Sequence, residues 1–196
     1  MSGGRSARED AAVRFAPGLD RLSAYRVPRH PAPVDLRLDG NEGAYPPPDL
    51  FLSPNRAAEV GRGYPGTTAL EAALAERLGV DAAQVIVTAG GDDALCRILR
   101  LVAAPGSEVV LPGPSFEMIR TYATLHGMAV REIDWPGPDW PRGPVLASIG
   151  PDTAAIAIVT PNNPTGATAS VEDLEAVSAA ADGALVVLDQ AYAEYD

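Results

Sequence analysis

Lysine is missing from these 196 residues, and all fifteen basic side chains are arginines. No side-chain amine is therefore present to attack an aldehyde and form a Schiff base. Cysteine is nearly missing as well. The single one, Cys96, rules out an internal disulfide framework and suits a reducing compartment. Flanked by Ala94, Leu95, Ile98 and Leu99 in a helical stretch, it reads as a buried core thiol. The two histidines, His30 and His126, have neither metal-ligand spacing nor a cysteine nearby in sequence, so no metal site is expected. His126, before Gly127, reads as a helix-end residue. No apolar run approaches the roughly 18 to 20 residues of a membrane helix. Residues 1–10 carry arginines with no apolar stretch behind them, which is not the pattern of a secretory signal, and cytoplasm is the expected location. Excess positive charge is lacking too: 26 acidic residues against 15 basic ones give a formal charge of −11, which argues against a nucleic-acid partner.

What is present suits a globular core. The chain is 46% hydrophobic and long enough for one sizeable domain, or for two. Residues 1–16 lack periodicity and read as a flexible tail. Residues 17–66 are dense in proline and glycine, with Pro46, Pro47 and Pro48 necessarily extended, and read as an arm wrapping over another surface and forming part of a small domain or dimer contact. Residues 67–196 form the expected main domain. Its first helix, 67–78, carries Leu70, Leu74 and Leu78 on one stripe and stops at Gly79. Beyond it, strands and helices alternate. Strands are expected at 85–88, 108–111, 129–133, 154–159 and 184–188, and helices at 92–103, 115–126 and 169–181. This rhythm implies crossover connections and a mainly parallel sheet covered on both faces, a three-layer α/β fold. The proline-rich stretch 135–144, with Trp135 and Trp140, reads as a stiff surface connection.

The polar features cluster at expected carboxyl ends of strands, where open α/β sheets bind ligands. Pro161-Asn162-Asn163-Pro164-Thr165-Gly166 follows one apolar strand, and Asp189 ends the next. A carboxylate in that position is costly unless paired. Ala89-Gly90-Gly91-Asp92-Asp93 joins a strand to a helix, where free N–H groups can hold an anion, although such a junction also serves as an ordinary turn and cap. Phe116, in Pro112-Gly113-Pro114-Ser115-Phe116, is open to a core role or to stacking.

These motifs occur in one order: Leu38-Asp39-Gly40-Asn41-Glu42, the Ala89 to Asp93 junction, the hexapeptide, then Val186-Val187-Leu188-Asp189-Gln190-Ala191-Tyr192. In this the chain resembles the fold type I aminotransferases of class I and II that use pyridoxal 5'-phosphate, on the histidinol-phosphate aminotransferase-like branch, over residues 17–196. The resemblance implies that Gly90, Gly91 and Asp92 grip the cofactor phosphate and that Phe116 stacks on its ring. It implies that Asn163 and Tyr192 bond its phenolic oxygen and that Asp189 pairs with its protonated ring nitrogen. Asp189 and Tyr192 are thus the catalytic candidates. Tyr64, before Pro65 and Gly66, would reach the phosphate of the neighbouring subunit in a homodimer with shared active sites, and Asn41 and Tyr25 would lie on the substrate side.

Three positions depart from the family pattern. Gly91 stands where a hydroxyl residue is common, Phe116 where a tyrosine is usual, and Gln190 where this branch has glutamate. The implied activity moves an amino group between an amino acid or amino-alcohol phosphate and a 2-oxo acid, in amino-acid biosynthesis such as that of histidine. The family's Schiff-base lysine follows the Asp189 and Tyr192 motif and is absent here, so the 196 residues are expected to be a fragment, inactive alone. Two other functions fit the same motifs: a phosphoamino-acid decarboxylase of the same branch, and a non-catalytic remnant that binds cofactor or a partner.

Overall fold

A computed structural model describes residues 22–23, 63–64 and 66–195. They fall into two compact units, and the division lies between Val87 and Thr88.

The unit ending at Val87 contains helix α1, Thr68–Leu78, and a 3-10 turn, Ala82–Gln84. Gly79 stops α1 in the left-handed conformation, with φ of 68°, as its position after the last leucine requires. The leucine stripe is only partly used. Ala75 is the buried residue of α1, while Leu70 and Leu78 are exposed, since no described element of this unit covers them. The expected strand at 85–88 does not form. Val85 is extended, with φ of −115° and ψ of 129°, but the Val87 N–H is bonded at 3.1 Å by Glu71 Oε1 of α1. A helix side chain has taken a donor that a neighbouring strand would need.

The second unit runs α2 (Gly90–Val102), β1 (Glu108–Gly113), α3 (Glu117–Leu125), β2 (Ala129–Asp134), α4 (Arg142–Ser148), β3 (Thr153–Val159), α5 (Val171–Ala180) and β4 (Leu185–Asp189). The four strands form one parallel sheet in the order β2-β1-β3-β4. Parallel pairing requires a crossover each time, and α3, α4 and α5 supply it. Alternate strand residues face opposite layers. Val109, Leu111, Ala155, Ala157 and Val159 pack with Leu95, Leu99 and Ile119 of α2 and α3, whereas Val110, Ile156 and Ile158 pack with Val145 of α4 and Val177 of α5. The expected three-layer arrangement is therefore present. β1 runs two residues further than expected, through Pro112, which lies beyond the end of the β1–β3 ladder at Val110 and pairs only with Ile133 of β2.

The stretch 135–144 runs over the surface as expected at Pro136, Pro138 and Asp139, but Trp135 anchors it in the core. Trp135 is 1% exposed and meets Trp140 edge to face, with ring centres 4.9 Å apart and planes at 86°. Its backbone N–H bonds Gly113 O at 2.6 Å and so carries the β2 edge inward. The following helix α4 was not expected, because Pro144 falls within its first turn, where proline is tolerated. Two polar clusters pin the layers. Glu108, buried at the amino end of β1, takes Arg131 in a two-pronged bond at 2.9 and 2.8 Å and Thr153 Oγ1 at 3.2 Å. Asp173 in α5 joins Arg142 of α4 at 2.6 Å and shares a capping box with Ser170.

Candidate active site

The sheet order reverses direction between β1 and β3: the chain steps from β1 out to β2, then returns past β1 to β3 and β4. At such a reversal the loops leaving the strands separate and open a crevice at their carboxyl ends. A cavity of about 190 Å³ lies there. Its walls come from four segments distant in sequence: Gly91, Asp92 and Leu95 of α2, Phe116 after β1, Asn163 after β3, and Asp189 with Tyr192 at the end of β4.

α2 begins at Gly90, two residues earlier than expected, so Gly90, Gly91 and Asp92 form its first turn. First-turn N–H groups have no carbonyl within the helix to bond, and the helix dipole makes that end attractive to an anion. Gly90 adopts φ of 81°, a conformation that suits glycine, and its own N–H bonds Thr88 O at 2.8 Å. Gly90 itself is not among the residues lining the cavity, whereas Gly91 and Asp92 are. Asp93 turns away. Its carboxylate accepts Arg97 Nε at 2.7 Å and the Ala89 N–H at 3.0 Å, and the arginine, with that N–H, holds it below the usual carboxylate range. Behind the turn, burial together with the adjacent Asp92 carboxylate pushes the Tyr122 phenol up.

Phe116 occupies the N-cap position of α3 and is half-buried, packed against the α2–α3 side of the core while one part lines the cavity. Asp189 is half-buried. Its Oδ1 accepts the Ala191 N–H at 3.0 Å, its backbone O accepts the Thr160 N–H at 2.9 Å, and among the described residues no cation pairs with its carboxylate. Asn163 and Tyr192 face the same space. Tyr64 is fully exposed and belongs to the other unit, and Tyr25 and Asn41 lie outside the described residues.

Asn162 belongs to the site although no spacing in the sequence singles it out. It is 3% exposed and ties the hexapeptide loop to the loop before Phe116. The visible signal was a second amide next to Asn163 in a turn rich in proline. Cys96 also differs from expectation, being half-buried on the flank of α2 instead of in the core, with its Sγ 3.5 Å from His126 Nε2. His126 does sit at the end of α3, as its C-cap. Among the described residues no group of three His, Cys, Asp or Glu side chains could hold a metal ion, and no helix is long and apolar enough to cross a membrane.

A parallel sheet with a crevice at its topological switch, a glycine-led helix start and a carboxylate that no cation among the described residues pairs is the kind of site that holds a phosphorylated, cationic ring. A family model described as aminotransferase class I and II matches residues 48–195, and the chain belongs to that family. Within the family the likeness is to the histidinol-phosphate aminotransferase branch. Histidinol-phosphate aminotransferase 1 of Thiobacillus denitrificans is 40% identical over 151 residues, covering 75% of this chain and 36% of that protein. The histidinol-phosphate aminotransferase of Synechocystis is 32% identical over 188 residues, 93% of this chain and 52% of its own length. Among solved structures, the histidinol-phosphate aminotransferase of Sinorhizobium meliloti in complex with pyridoxal-5'-phosphate matches with a TM-score of 0.65 and 27% identity, over 71% of this chain and 39% of that one. The chain thus spans about half the length, or less, of these relatives.

Proposed function

We propose that this chain forms the cofactor-binding part of a pyridoxal-phosphate-dependent aminotransferase of the histidinol-phosphate type. The reaction transfers an amino group between an amino acid or amino-alcohol phosphate and a 2-oxo acid, in amino-acid biosynthesis in the cytoplasm, with the enzyme working as a homodimer. The observation that carries the reading is Asp189: a half-buried carboxylate, held by the Ala191 N–H and without a cation among the described residues, in the same cavity wall as Asn163, Tyr192 and Phe116. A carboxylate so placed seeks a cationic partner.

When bound, the cofactor supplies an electron sink for the pair released as a bond to the substrate's α-carbon breaks. The chain's own groups bind and polarise it. The Asp189 carboxylate accepts the bond from the protonated ring nitrogen and holds the proton there, since an opposite charge at contact favours the charged form. The Asn163 amide and the Tyr192 hydroxyl donate to the phenolic oxygen. Phe116 covers the ring, and the first turn built by Gly90, Gly91 and Asp92 takes the phosphate on the N–H groups of Gly91 and Asp92, the Gly90 N–H being held by Thr88 O. Tyr64 serves the phosphate of the neighbouring subunit, and Tyr25 and Asn41 face substrate. Because none of the 196 residues is lysine, this stretch binds the cofactor without a side-chain covalent bond and does not turn over alone.

Titrating the purified chain with pyridoxal phosphate tests the proposal. Saturable binding seen by induced circular dichroism, with no side-chain adduct by mass spectrometry after borohydride, is the expected result. Absence of saturable binding, or affinity unchanged in Asp189→Asn, overturns it.

A further inference from the structure

Asn162 is buried, polar and inward-facing, yet it does not line the cavity. Its carboxamide bonds three groups on two loops. Nδ2 donates to Pro114 O at 2.8 Å and to Thr165 Oγ1 at 2.8 Å, and Oδ1 accepts from Ser115 Oγ at 3.1 Å. Both amide hydrogens are therefore spent on acceptors, one of them a proline carbonyl that can do nothing but accept, which fixes which way the amide points. The backbone of the same residue closes its own loop, with the Asn162 N–H on Ala167 O at 2.8 Å and the Gly166 N–H on Asn162 O at 2.7 Å. Ser115 directly precedes Phe116, and Asn162 directly precedes Asn163. One buried side chain thus joins the backbones that carry two walls of the cavity.

We infer that Asn162 is a positioning residue: by tying the Pro114-Ser115 turn to the hexapeptide loop it fixes the separation of Phe116 from Asn163, and so the width of the slot that receives a flat aromatic ligand. The inference rests, for the identity of that ligand, on the function proposed above. The physical ground is that a ring gripped between two loops gains from their being set in place beforehand, because loops ordered only on binding cost affinity. The pairing is also chemically specific. Aspartate has the same shape, but it would set an oxygen against the Pro114 carbonyl, so the isosteric replacement is expected to part the loops as alanine does.

The test uses the 196-residue chain as wild type, Asn162→Ala, Asn162→Asp, Ser115→Ala and Thr165→Val, read by amide hydrogen exchange and by pyridoxal phosphate titration. Exchange at the Ile119 amide, whose N–H bonds Phe116 O at 3.2 Å, should rise at least tenfold in both Asn162 variants while the β1 and β3 amides stay protected. Affinity should fall about tenfold in both, and Ser115→Ala should show the same pattern more weakly. Thr165→Val, which spares the cross-loop bonds, should loosen residues 165–167 alone. The inference is overturned if Asn162→Ala loosens its own loop but leaves the Ile119 amide unchanged, or if affinity stays within twofold of a wild type that binds. Should the wild type not bind the cofactor at all, the proposed function falls, and exchange at the Ile119 amide by itself decides whether Asn162 holds the loops together. If both Asn162 variants fail to fold, Ser115→Ala decides by the same two criteria.

Discussion

At the residue scale, the features that matter are polar groups placed where an apolar core would exclude them. Asp189 ends a strand of Leu185, Val186, Val187 and Leu188, and the local backbone does little for it beyond one N–H. Removing its charge should therefore weaken cofactor binding more than removing the ring of Phe116. A charge-assisted hydrogen bond contributes about 1.5–3 kcal/mol, roughly a tenfold to hundredfold change in dissociation constant. Ring stacking adds about 0.5–1.5 kcal/mol beyond area. Equilibrium dialysis of Asp189→Asn and Phe116→Ala against pyridoxal phosphate would rank the two, and an equal or reversed order would remove Asp189 from its role. Six of the expected residues line the cavity, Gly91, Asp92, Phe116, Asn163, Asp189 and Tyr192, and they were legible in sequence because each stands in a short motif near the end of an apolar run. Asn162 was not, since its partners, Pro114 and Ser115, lie 48 and 47 positions away. Cys96 and His126 were likewise read apart, and only the packing of α2 on α3 sets them side by side.

At the element scale, local chemistry decided where helices start, and pairing decided which extended segments became strands. Ser170 opens α5 by accepting the Asp173 N–H at 3.1 Å, while Asp173 Oδ2 accepts the Ser170 N–H at 3.1 Å and the Ser170 hydroxyl at 2.7 Å. Ser170→Ala should destabilise the chain by about 1 kcal/mol, the usual cost of an N-cap. Urea unfolding would show this as a lower midpoint at constant slope. The cap was readable from Ser170, Glu172 and Asp173 alone. The salt bridge from Arg142 to Asp173 was not, because α4 itself was hidden behind prolines. Residues 85–88 show the reverse error. Their Val and Ile content favours a strand, but β-propensity describes a fit to a pleated neighbour, and among the described residues none pairs there.

At the scale of the whole molecule, two buried carboxylates, each paired with a half-exposed arginine, set the response to pH. Glu108 is held below the usual carboxylate range by the Arg131 guanidinium, against the opposing effect of burial, with help from Thr153. For Asp173 burial acts upward most strongly, yet the Ser170 and Arg142 bonds together bring it down. In both cases the folded chain binds a proton less readily than the unfolded one. Stability from these groups is thus complete above the unfolded values, about 4.3 for glutamate and 3.9 for aspartate, and is lost as pH falls through the lower folded values. Circular dichroism on acidification should show stability declining below about pH 4.5. Glu108→Gln should flatten that decline and cost about 1–2 kcal/mol at pH 7, the low end because Arg131 is half exposed. A decline equally steep in the variant would show that Glu108 is not the group responsible.

The sequence by itself determined the layers and the chemistry. Alternating apolar periods dictate strands covered on both faces, and motif residues at strand ends announce what kind of ligand is held. What only the tertiary structure decided is adjacency. The order β2-β1-β3-β4 puts the crevice between β1 and β3, and it brings Gly91, Phe116, Asn163 and Asp189 to one cavity across nearly a hundred residues. It also turns Trp135 inward and gives Asn162 its partners. The physical reason is range. Backbone periodicity and capping act within a few residues and are written locally, whereas the partner of a buried amide or of a strand edge is fixed by which distant segments the packed sheet places alongside it.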